Sequence, residues 1–393
     1  MVHRSRQAGG LVAAITPAVV GATLAAAGEV GPPFDWQPLP PLPDPIGVAG
    51  PFVGTHQGGL IVAGGANFAT ADAADLWSAS KKFHAAAFVL MPRPDAAGGY
   101  VWRTGFALAR PVAYGATAST PAGIVCVGGE DGTQVLAEAF LLTWNPATGT
   151  LAQQPLPPLP APSTAGGAAV VGGHVYVVAG QTGLGLHSAT ARLWRLDLKR
   201  LAAADLAWEP VPAVPGGPRA FAIVAAQPAG GATALYVIGG RRQRPGTTDL
   251  AGVEPLADCH EFSPERFAAD PATAWRRRSD APEPLMAGAA AAFGPRRLVV
   301  LAAADGDLLK RIAADPEFVK RHPGFPKRAW AFDTLADRWT GAGDTPACPV
   351  TTPAVAWGPG FVLASGETRP RVRSPEVWLV REAAEPRREG GHD

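Results

Sequence analysis

The sequence is poor in charged residues, tyrosine and cysteine. Only 17% of its 393 residues are Asp, Glu, Lys or Arg, and the formal net charge is +1. A chain without an excess of positive charge gives no case for binding nucleic acid or an anionic membrane surface. The three cysteines, Cys126, Cys259 and Cys348, lie far apart and without CxxC spacing. They are therefore predicted to be buried apolar residues rather than partners in a disulfide or a zinc site.

Long apolar runs are also missing after the N-terminal region, so no membrane span is predicted. The run over residues 11–27 follows two arginines and ends in three alanines. This pattern is typical of a secretory signal peptide, and a disordered Ala-rich leader is the alternative. We predict that residues 1–30 are one of these, that residues 31–382 form the folded domain, and that residues 383–393 form a disordered polar tail. The predicted location is periplasmic or secreted, and otherwise cytoplasmic.

A short unit recurs six times along the chain. Each unit contains an apolar, β-rich run that ends in a pair of small residues. The pairs are Gly64-Gly65, Gly128-Gly129, Ala179-Gly180, Gly239-Gly240, Ala302-Ala303 and Ser365-Gly366. Their spacing of roughly 50 to 65 residues is typical of kelch-type propeller blades. Since one blade cannot bury its faces alone, the repeat predicts an all-β fold, a six-bladed kelch-type β-propeller.

Four strands are predicted in each repeat. Strand A is a run of small residues, strand B precedes the small pair, strand C alternates, and strand D follows a turn. Strand D is predicted to start at Trp36, Trp102, Leu151, Trp208, Trp275 and Trp339. The first of these has no strands A to C before it, and the last strand C has no strand D after it. We therefore predict that the N-terminal strand closes the last blade, which removes an open sheet edge.

Polar residues are predicted to surround one mouth of the propeller, because the loops after strand B and before strand A open on the same face. Three of the B-to-C connections are long, over 66–83, 241–257 and 304–327, and the last is predicted to contain a helix. The predicted rim residues are Asn67, Glu130, Asp131, Gln181, Arg241, Arg242, Asp305, Asp307, Glu367, Arg369, Arg371, Arg373, Arg110 and Arg219. Arginines beside carboxylates and amides suit an anionic polar ligand such as an acidic sugar. The alternative is that these charges are merely solvated.

The C-terminal loop combines one carboxylate with three arginines in a proline-stiffened turn. It places Glu367 close in sequence to Arg369, Arg371 and Arg373. Such charges repel each other unless they share a carboxylate or a bound anion. A nearby arginine lowers the pKa of a glutamate and favours a base at neutral pH, whereas desolvation in a narrow funnel has the opposite effect. The loop is therefore a candidate for acid/base chemistry.

The same loop carries a family resemblance. The stretch from Thr351 to Val377 contains a Gly-Glu-x-x-Pro-x-x-Arg pattern, and further agreement comes from 42–50 with 62–68, from 110–115 and from 324–326. Over about residues 34–381 the chain resembles the cyclically permuted mutarotase family, kelch-repeat proteins related to N-acetylneuraminate epimerase.

The resemblance implies an enzyme that interconverts the anomers of N-acetylneuraminate or a similar acidic sugar, with neither metal nor cofactor. It implies that Glu367 is the acid/base and that Arg373 is the second functional residue, which we assign to the substrate carboxylate. The predicted substrate-binding residues are Arg369, Asn67, Arg110, Glu130, Arg241 and Arg219. The small pair Ala302-Ala303 departs from the usual Gly-Gly.

Other functions were weighed against this one. A non-catalytic kelch module that binds a glycan or protein partner remains open, since propellers serve many functions. A copper oxidase of the galactose-oxidase type lacks its tyrosine and histidine ligands, because Tyr176 and Tyr236 fall within strand B. A sialidase lacks its Ser-x-Asp-x-Gly-x-Thr-Trp turns. Of the eight histidines, His56 and His84 are either near the mouth or structural. The sequence leaves the oligomeric state open.

Overall fold

A computed structural model describes Met1 and residues 34–68, 76–178, 180–229, 231–312 and 314–383. The predicted signal peptide or leader and nearly all of the predicted polar tail lie outside this part of the chain. Export therefore stays a prediction. Within the described residues, no helix is long and apolar enough to cross a membrane.

Strands dominate the first half of the chain because short apolar runs alternate with Gly- and Pro-rich turns. The N-terminal strand is β1 (Phe34–Leu39). The first blade and the hairpin above it comprise β2 (Phe52–His56), β3 (Gly59–Ala63), β4 (Ala66–Phe68), β5 (Lys81–Phe83), β6 (Ala86–Pro92) and β7 (Tyr100–Ala107). The second blade comprises β8 (Ala116–Thr120), β9 (Gly123–Val127), β10 (Ala139–Asn145) and β11 (Thr150–Leu156). The third comprises β12 (Gly167–Val171), β13 (His174–Val178), β14 (Leu193–Asp197) and β15 (Glu209–Val211).

The second half repeats this plan and adds three short helices. The fourth blade comprises β16 (Ile223–Ala229), β17 (Ala232–Gln243), β18 (Val253–Phe262) and β19 (Trp275–Arg278), with α1 (Pro264–Ala269) between the last two. The fifth comprises β20 (Met286–Phe293), β21 (Arg297–Ala304), β22 (Arg328–Asp333) and β23 (Arg338–Asp344), with α2 (Asp307–Ile312) and α3 (Phe318–Arg321) in its long connection. The sixth contains β24 (Ala354–Trp357), β25 (Gly360–Ala364) and β28 (Val377–Glu382), and β26 (Glu367–Arg369) with β27 (Val372–Arg373) forms a hairpin above it.

Six four-stranded antiparallel sheets confirm the predicted propeller, and the last of them uses both ends of the described chain. Its strand order is β1-β28-β25-β24. The N-terminal strand pairs with the last strand from Phe34 opposite Glu382 to Leu39 opposite Val377. The predicted closure is therefore confirmed. The helix predicted in 304–327 is also present, as α2 and α3.

The hydrophobic core lies mainly between the blades. Buried clusters of the described residues combine strands of neighbouring blades; Ile61 and Val89 of the first blade, for example, pack in one cluster with Ile124 of the second. All three cysteines are buried and free, as predicted. The residues Tyr176 and Tyr236 are both fully buried in the core. Burial of this apolar surface between sheets is the main force that holds the blades together.

Four of the tryptophans predicted to open strand D each fasten their blade to the one before it. The indole Nε1–H of Trp208 donates to the Pro157 carbonyl at 2.9 Å, and that of Trp275 donates to Pro212 at 2.9 Å. Trp102, Trp339 and their acceptors Pro40 and Ser279 repeat the arrangement. A bulky ring thus fills the wide outer gap between blades while its polar N–H is satisfied.

A ring of six backbone hydrogen bonds surrounds the propeller axis where strand A begins in each blade. Each N–H donates to the carbonyl of the equivalent residue in the preceding blade, at 2.6 to 2.8 Å. The residues are Gly50, Tyr114, Ala165, Phe221, Ala287 and Thr351. All six have positive φ, between 51° and 64°. Five of them are not glycine, so the closed ring holds a conformation that L-residues otherwise avoid.

Candidate active site

One cavity of about 470 Å³ lies over this ring, at the mouth predicted from the loops. Four basic and three acidic side chains line it: Lys81, Arg241, Arg371, Arg373, Glu130, Asp305 and Glu367. Its floor includes Tyr114, Ala165, Phe221, Ala287 and Thr351 of the ring. Both the size and the mixture of apolar wall and convergent polar groups are those of a small-molecule site.

In the second, third, fourth and sixth blades the residue after the small pair lines the cavity. The second blade shows the sharp turn that brings it there. Gly128 has a φ of 67°, and a Cβ on it would lie 2.1 Å from the Ser163 carbonyl oxygen. The next residues are then fixed by isolated bridges, Glu130 opposite Ala113 and Arg241 opposite Ala220. The same bridge places Gln181 and Glu367 in their blades. The predicted rim residues that line the cavity are Glu130, Gln181, Arg241, Asp305, Glu367, Arg371 and Arg373.

The first and fifth blades differ at this position. The residue after the first small pair is Ala66, and the following Asn67 points away from the cavity. In the fifth blade, Ala302 and Ala303 stay within β21, whose pairing with β20 is shifted by irregularities. The departure from Gly-Gly is thus accommodated by a continuous strand without positive φ.

Glu367 and Arg373 form an ion pair inside the cavity. The Arg373 Nη1 atom lies 3.0 Å from Glu367 Oε1, and the arginine side chain is only 3% exposed. The same Oε1 accepts the backbone N–H of Arg371 at 2.7 Å. Arg373 also reaches the Ala66 carbonyl through Nε at 3.3 Å and the Tyr114 hydroxyl through Nη2 at 3.4 Å. The β26–β27 hairpin holds the pair, since Glu367 lies opposite Arg373 in its register.

Neither of the other two arginines of the C-terminal loop pairs with Glu367. Arg371 stacks on Phe68, with its guanidinium carbon 3.9 Å from the ring centroid, and donates to the carbonyls of Leu76 and Ala79 at 3.1 and 2.6 Å. Burial and the neighbouring charge of Arg373 lower the pKa of Arg371. Arg369 donates to the Lys320 carbonyl at 3.3 Å outside the cavity lining. The repulsion predicted for this loop is thus relieved by separation, and one arginine alone pairs with Glu367.

Arg241 is a cation without a carboxylate partner at ion-pair distance among the described residues. Its guanidinium carbon lies 4.2 Å from the centroid of Phe221, and its buried Nε has no hydrogen-bond partner within the described chain. Burial lowers the pKa of Arg241, while the charges of Glu367 and Tyr114 act in the opposite direction. A desolvated arginine of this kind favours an anionic ligand.

Glu130 lies in the same cavity in a drier setting. Burial raises its pKa, and the nearby charge of Lys81 and a hydrogen bond from Thr164 only partly oppose this. The Thr164 hydroxyl is 3.4 Å from Glu130 Oε2. Such a carboxyl keeps its proton to a higher pH than an exposed glutamate does.

Three predicted substrate-binding residues lie outside the cavity lining and contact other protein groups. Asn67 donates to the Gly47 carbonyl at 3.0 Å, and its Oδ1 lies 2.7 Å from His84 Nε2. Arg110 pairs with Asp131 and Glu138 at 2.5 and 2.9 Å. Neither lines the cavity. Partners close to each side chain in space satisfy both residues in this structure, and their role in substrate binding stays a prediction.

Arg219 is the third of these. It is 1% exposed and donates two hydrogen bonds of 2.7 Å to the carboxylate of Asp258. Burial raises the pKa of Asp258, but hydrogen bonds from His260 and Arg219 outweigh it and leave the pKa well below its usual value. The pair lies outside the cavity lining. The position of Arg219 before strand A was the reason to place it in the predicted rim. Its carboxylate partner lies 39 residues away and could not be predicted from the sequence.

Several cavity residues were missed in the sequence analysis. Tyr114 lies in the stretch 110–115 that carries part of the family resemblance, and its place before strand A was the available signal. Lys81 lies over the Tyr114 ring, with Nζ 4.9 Å from its centroid. Phe68 and Phe221 carry the stacked arginines. The histidines left open are structural: His56 accepts the Trp144 N–H, and His84 contacts Asn67.

Within the described residues, no three His, Cys, Asp or Glu side chains are placed to hold a metal ion. The cavity contains the carboxyl groups of Glu130, Asp305 and Glu367 as groups that can transfer protons. Arg241 is a cation that can bind an anion there.

Comparison with known proteins supports the resemblance. No family model matches the chain. It is 36% identical over 132 residues to the N-acetylneuraminate epimerase of Vibrio cholerae, which covers 30% of this chain and 33% of the relative. It is 39% identical over 113 residues to the N-acetylneuraminate epimerase of Brucella suis, or 27% and 29% of the two chains. The chain thus matches about a third of the length of these curated relatives.

A solved structure extends the likeness to the whole fold. The structure titled "Structure of YjhT" superposes with a TM-score of 0.60 at 12% identity, and covers 88% of this chain and 98% of its own. At that identity the superposition concerns the fold alone. The chain is a six-bladed kelch-type β-propeller that resembles the N-acetylneuraminate epimerases, as predicted from its C-terminal loop.

Proposed function

We propose that this chain is a mutarotase that interconverts the anomers of N-acetylneuraminate or a similar acidic sugar. The observation that carries the proposal is the Glu367–Arg373 ion pair in one cavity with the unpaired Arg241. A proton-transfer group and an anion-binding group then face the same ligand. The names of the curated relatives support this reaction, although they match over only about a third of their length.

The reaction requires two proton transfers. Opening a cyclic hemiketal takes the proton of the anomeric hydroxyl and gives a proton to the ring oxygen, and closure on the other face reverses both steps. We assign Glu367 as the group that takes the first proton. Arg373 orients its carboxylate through the 3.0 Å contact. Glu130, which burial keeps protonated to higher pH, is suited to supply the second proton.

Arg241 is the proposed partner of the substrate carboxylate. Its stacking on Phe221 fixes the plane of the guanidinium, which suits a two-point contact with a carboxylate. This assignment replaces Arg373, which is already paired with Glu367. The amide of Gln181 and the hydroxyl of Tyr114 line the same cavity and are placed to read sugar hydroxyls.

The alternative function is a non-catalytic propeller that binds an acidic glycan in this cavity. Both functions use Arg241, but only the enzyme needs Glu367 as a proton acceptor. A binding module would therefore retain sugar affinity while leaving the rate of anomer exchange unchanged.

The test is anomer exchange of freshly dissolved N-acetylneuraminate, followed by proton NMR with and without the protein. We expect the protein to accelerate exchange above the spontaneous rate. Binding of the same sugar is measured in parallel by isothermal titration calorimetry. Binding without acceleration would overturn the enzyme and support the binding module, and absence of both would reject N-acetylneuraminate as the ligand.

A further inference from the structure

One side of the cavity wall is apolar, in contrast with the charged side around Glu367. Leucines and other hydrophobic side chains from the third and fifth blades line it. They are Leu184, Leu186, Met286, Leu308, Leu309 and Phe325. A wholly hydroxylated sugar has no use for such a wall, because each hydroxyl placed against it loses a hydrogen bond to water.

The leucines of this wall are incompletely buried by the protein itself. Leu184 is 50% exposed, which makes it one of few large hydrophobic side chains exposed in the described chain. Helix α2 carries Leu308 and Leu309, and none of its residues is buried. These side chains therefore keep apolar surface toward the cavity that the fold does not cover.

The two sides of the cavity are continuous. Asp305 and Gly306 lead from the fifth blade into α2, and the backbone of Gln181 leads into the turn that carries Leu184 and Leu186. A ligand held at Arg241 in the fourth blade, between these two segments, thus lies beside both leucine-bearing turns. The apolar wall belongs to the same ligand rather than to a separate surface.

We propose that the substrate is an acidic sugar that carries an apolar acyl substituent larger than acetyl. The acyl group of the sugar lies against Leu184 and Leu308. The inference rests on the proposed function, since it concerns the substrate of that site. Burial of one methylene is worth about a fourfold gain in affinity. Two further methylenes, as in a butanoyl group, give roughly a 15-fold gain.

The experiment compares N-acetylneuraminate with N-butanoylneuraminate as probes, in anomer exchange by NMR and in binding by calorimetry. We expect the wild-type protein to prefer the butanoyl sugar by about 15-fold in kcat/KM. Leu184→Ser and Leu308→Ser should each reduce this preference, measured as the ratio of kcat/KM for the two sugars. Leu335→Ser is the matched control, because Leu335 is 57% exposed and lies outside the cavity lining, in the turn between β22 and β23.

The outcomes separate the two proposals. Equal rates for both sugars, or a preference that the two cavity variants leave unchanged, would overturn the acyl subsite while the mutarotase stands. An equal loss in Leu335→Ser would also overturn it. If neither sugar is exchanged faster or bound, the proposed function fails and the subsite with it. A melting temperature close to that of the wild type in Leu184→Ser, whose side chain is half exposed, shows that the variant folds.

Discussion

The guanidinium of Arg241 is stacked on the ring of Phe221 at the floor of the cavity, 4.2 Å from carbon to centroid. No carboxylate of the described chain pairs with it, so its charge is available to a ligand. We predict that Arg241→Met raises KM for N-acetylneuraminate about 10- to 150-fold with little change in kcat, because hydrogen bonds to charged groups contribute about 1.5–3 kcal/mol.

Steady-state kinetics of anomer exchange would measure this change. Arg103→Met is the control, since Arg103 is exposed on the outer strand β7. An unchanged KM in Arg241→Met, or a fall confined to kcat, would show that Arg241 does not bind the substrate carboxylate.

The carboxylate of Glu367 is the proposed proton acceptor. The amide of a glutamine has nearly the same shape but does not accept the proton. Glu367→Gln should lower kcat about 10²- to 10⁴-fold, the range typical of general acid–base catalysis. The rate is compared at a temperature where the variant is folded, because the change also removes the counter-charge of the buried Arg373. The measurement is the exchange rate at saturating sugar. Glu265→Gln on α1, an exposed site, should match the wild type. Full activity in Glu367→Gln would remove this residue from the mechanism.

Much of the fold could be predicted because the repeat itself encodes it. Small pairs mark where strand B ends, and a strand D without its blade at one end predicted closure by β1. The cavity was harder to predict. The residue after a small pair is found by counting, which located Glu130 and Arg241, but one position of error separated Ala66 from Asn67. Arg110 and Arg219 lie outside the cavity lining, and their ion pairs could not be predicted because the carboxylate partners are distant in sequence.

Glu130 should make stability depend on pH. Its folded-state pKa is raised by burial above the ordinary value of 4.5. The folded protein therefore binds this proton more tightly than the unfolded chain does, and the resulting stabilisation is complete below pH 4.5 and is lost as pH rises through the raised pKa. Glu130→Gln stays neutral, so its melting temperature relative to wild type should increase from pH 4 to pH 8. A constant or falling difference in thermal scans would contradict this.

The Arg219–Asp258 pair is predicted to stabilise the fold rather than bind sugar. Arg219→Met removes the arginine partner of a mostly buried carboxylate, which keeps only its contact with His260, and should cost about 3–5 kcal/mol in the free energy of unfolding. KM measured at a temperature where the variant is folded should stay at the wild-type value. Denaturant unfolding measures the first effect. The double variant Arg219→Met/Asp258→Leu should lose less stability than the sum of the two single changes, and strict additivity would show that the residues act independently.

The ring residues around the axis predict an unusual response to glycine. Ala165 has a φ of 54°, where a side chain costs roughly 1–2 kcal/mol. Ala165→Gly should therefore be close to neutral in unfolding free energy. Ala118 is equally buried, at 6% exposure for both, but lies in the extended strand β8. Ala118→Gly should cost about 0.5–1 kcal/mol or more. Equal losses in the two variants would mean that the ring position is unstrained.

The six linked amides around the axis make the floor of the cavity a closed ring that resists opening. Each link holds one blade to the next, so a tilt of any single blade must stretch two hydrogen bonds at once. A ligand that needs room therefore cannot gain it by parting the blades. Adjustment to ligands of different size must come from the segments above the floor that line the cavity, chiefly 181–186 and 304–309. Evolution of a new specificity on this scaffold is then expected to change the sequence of those two segments and to leave the ring of hydrogen bonds unchanged.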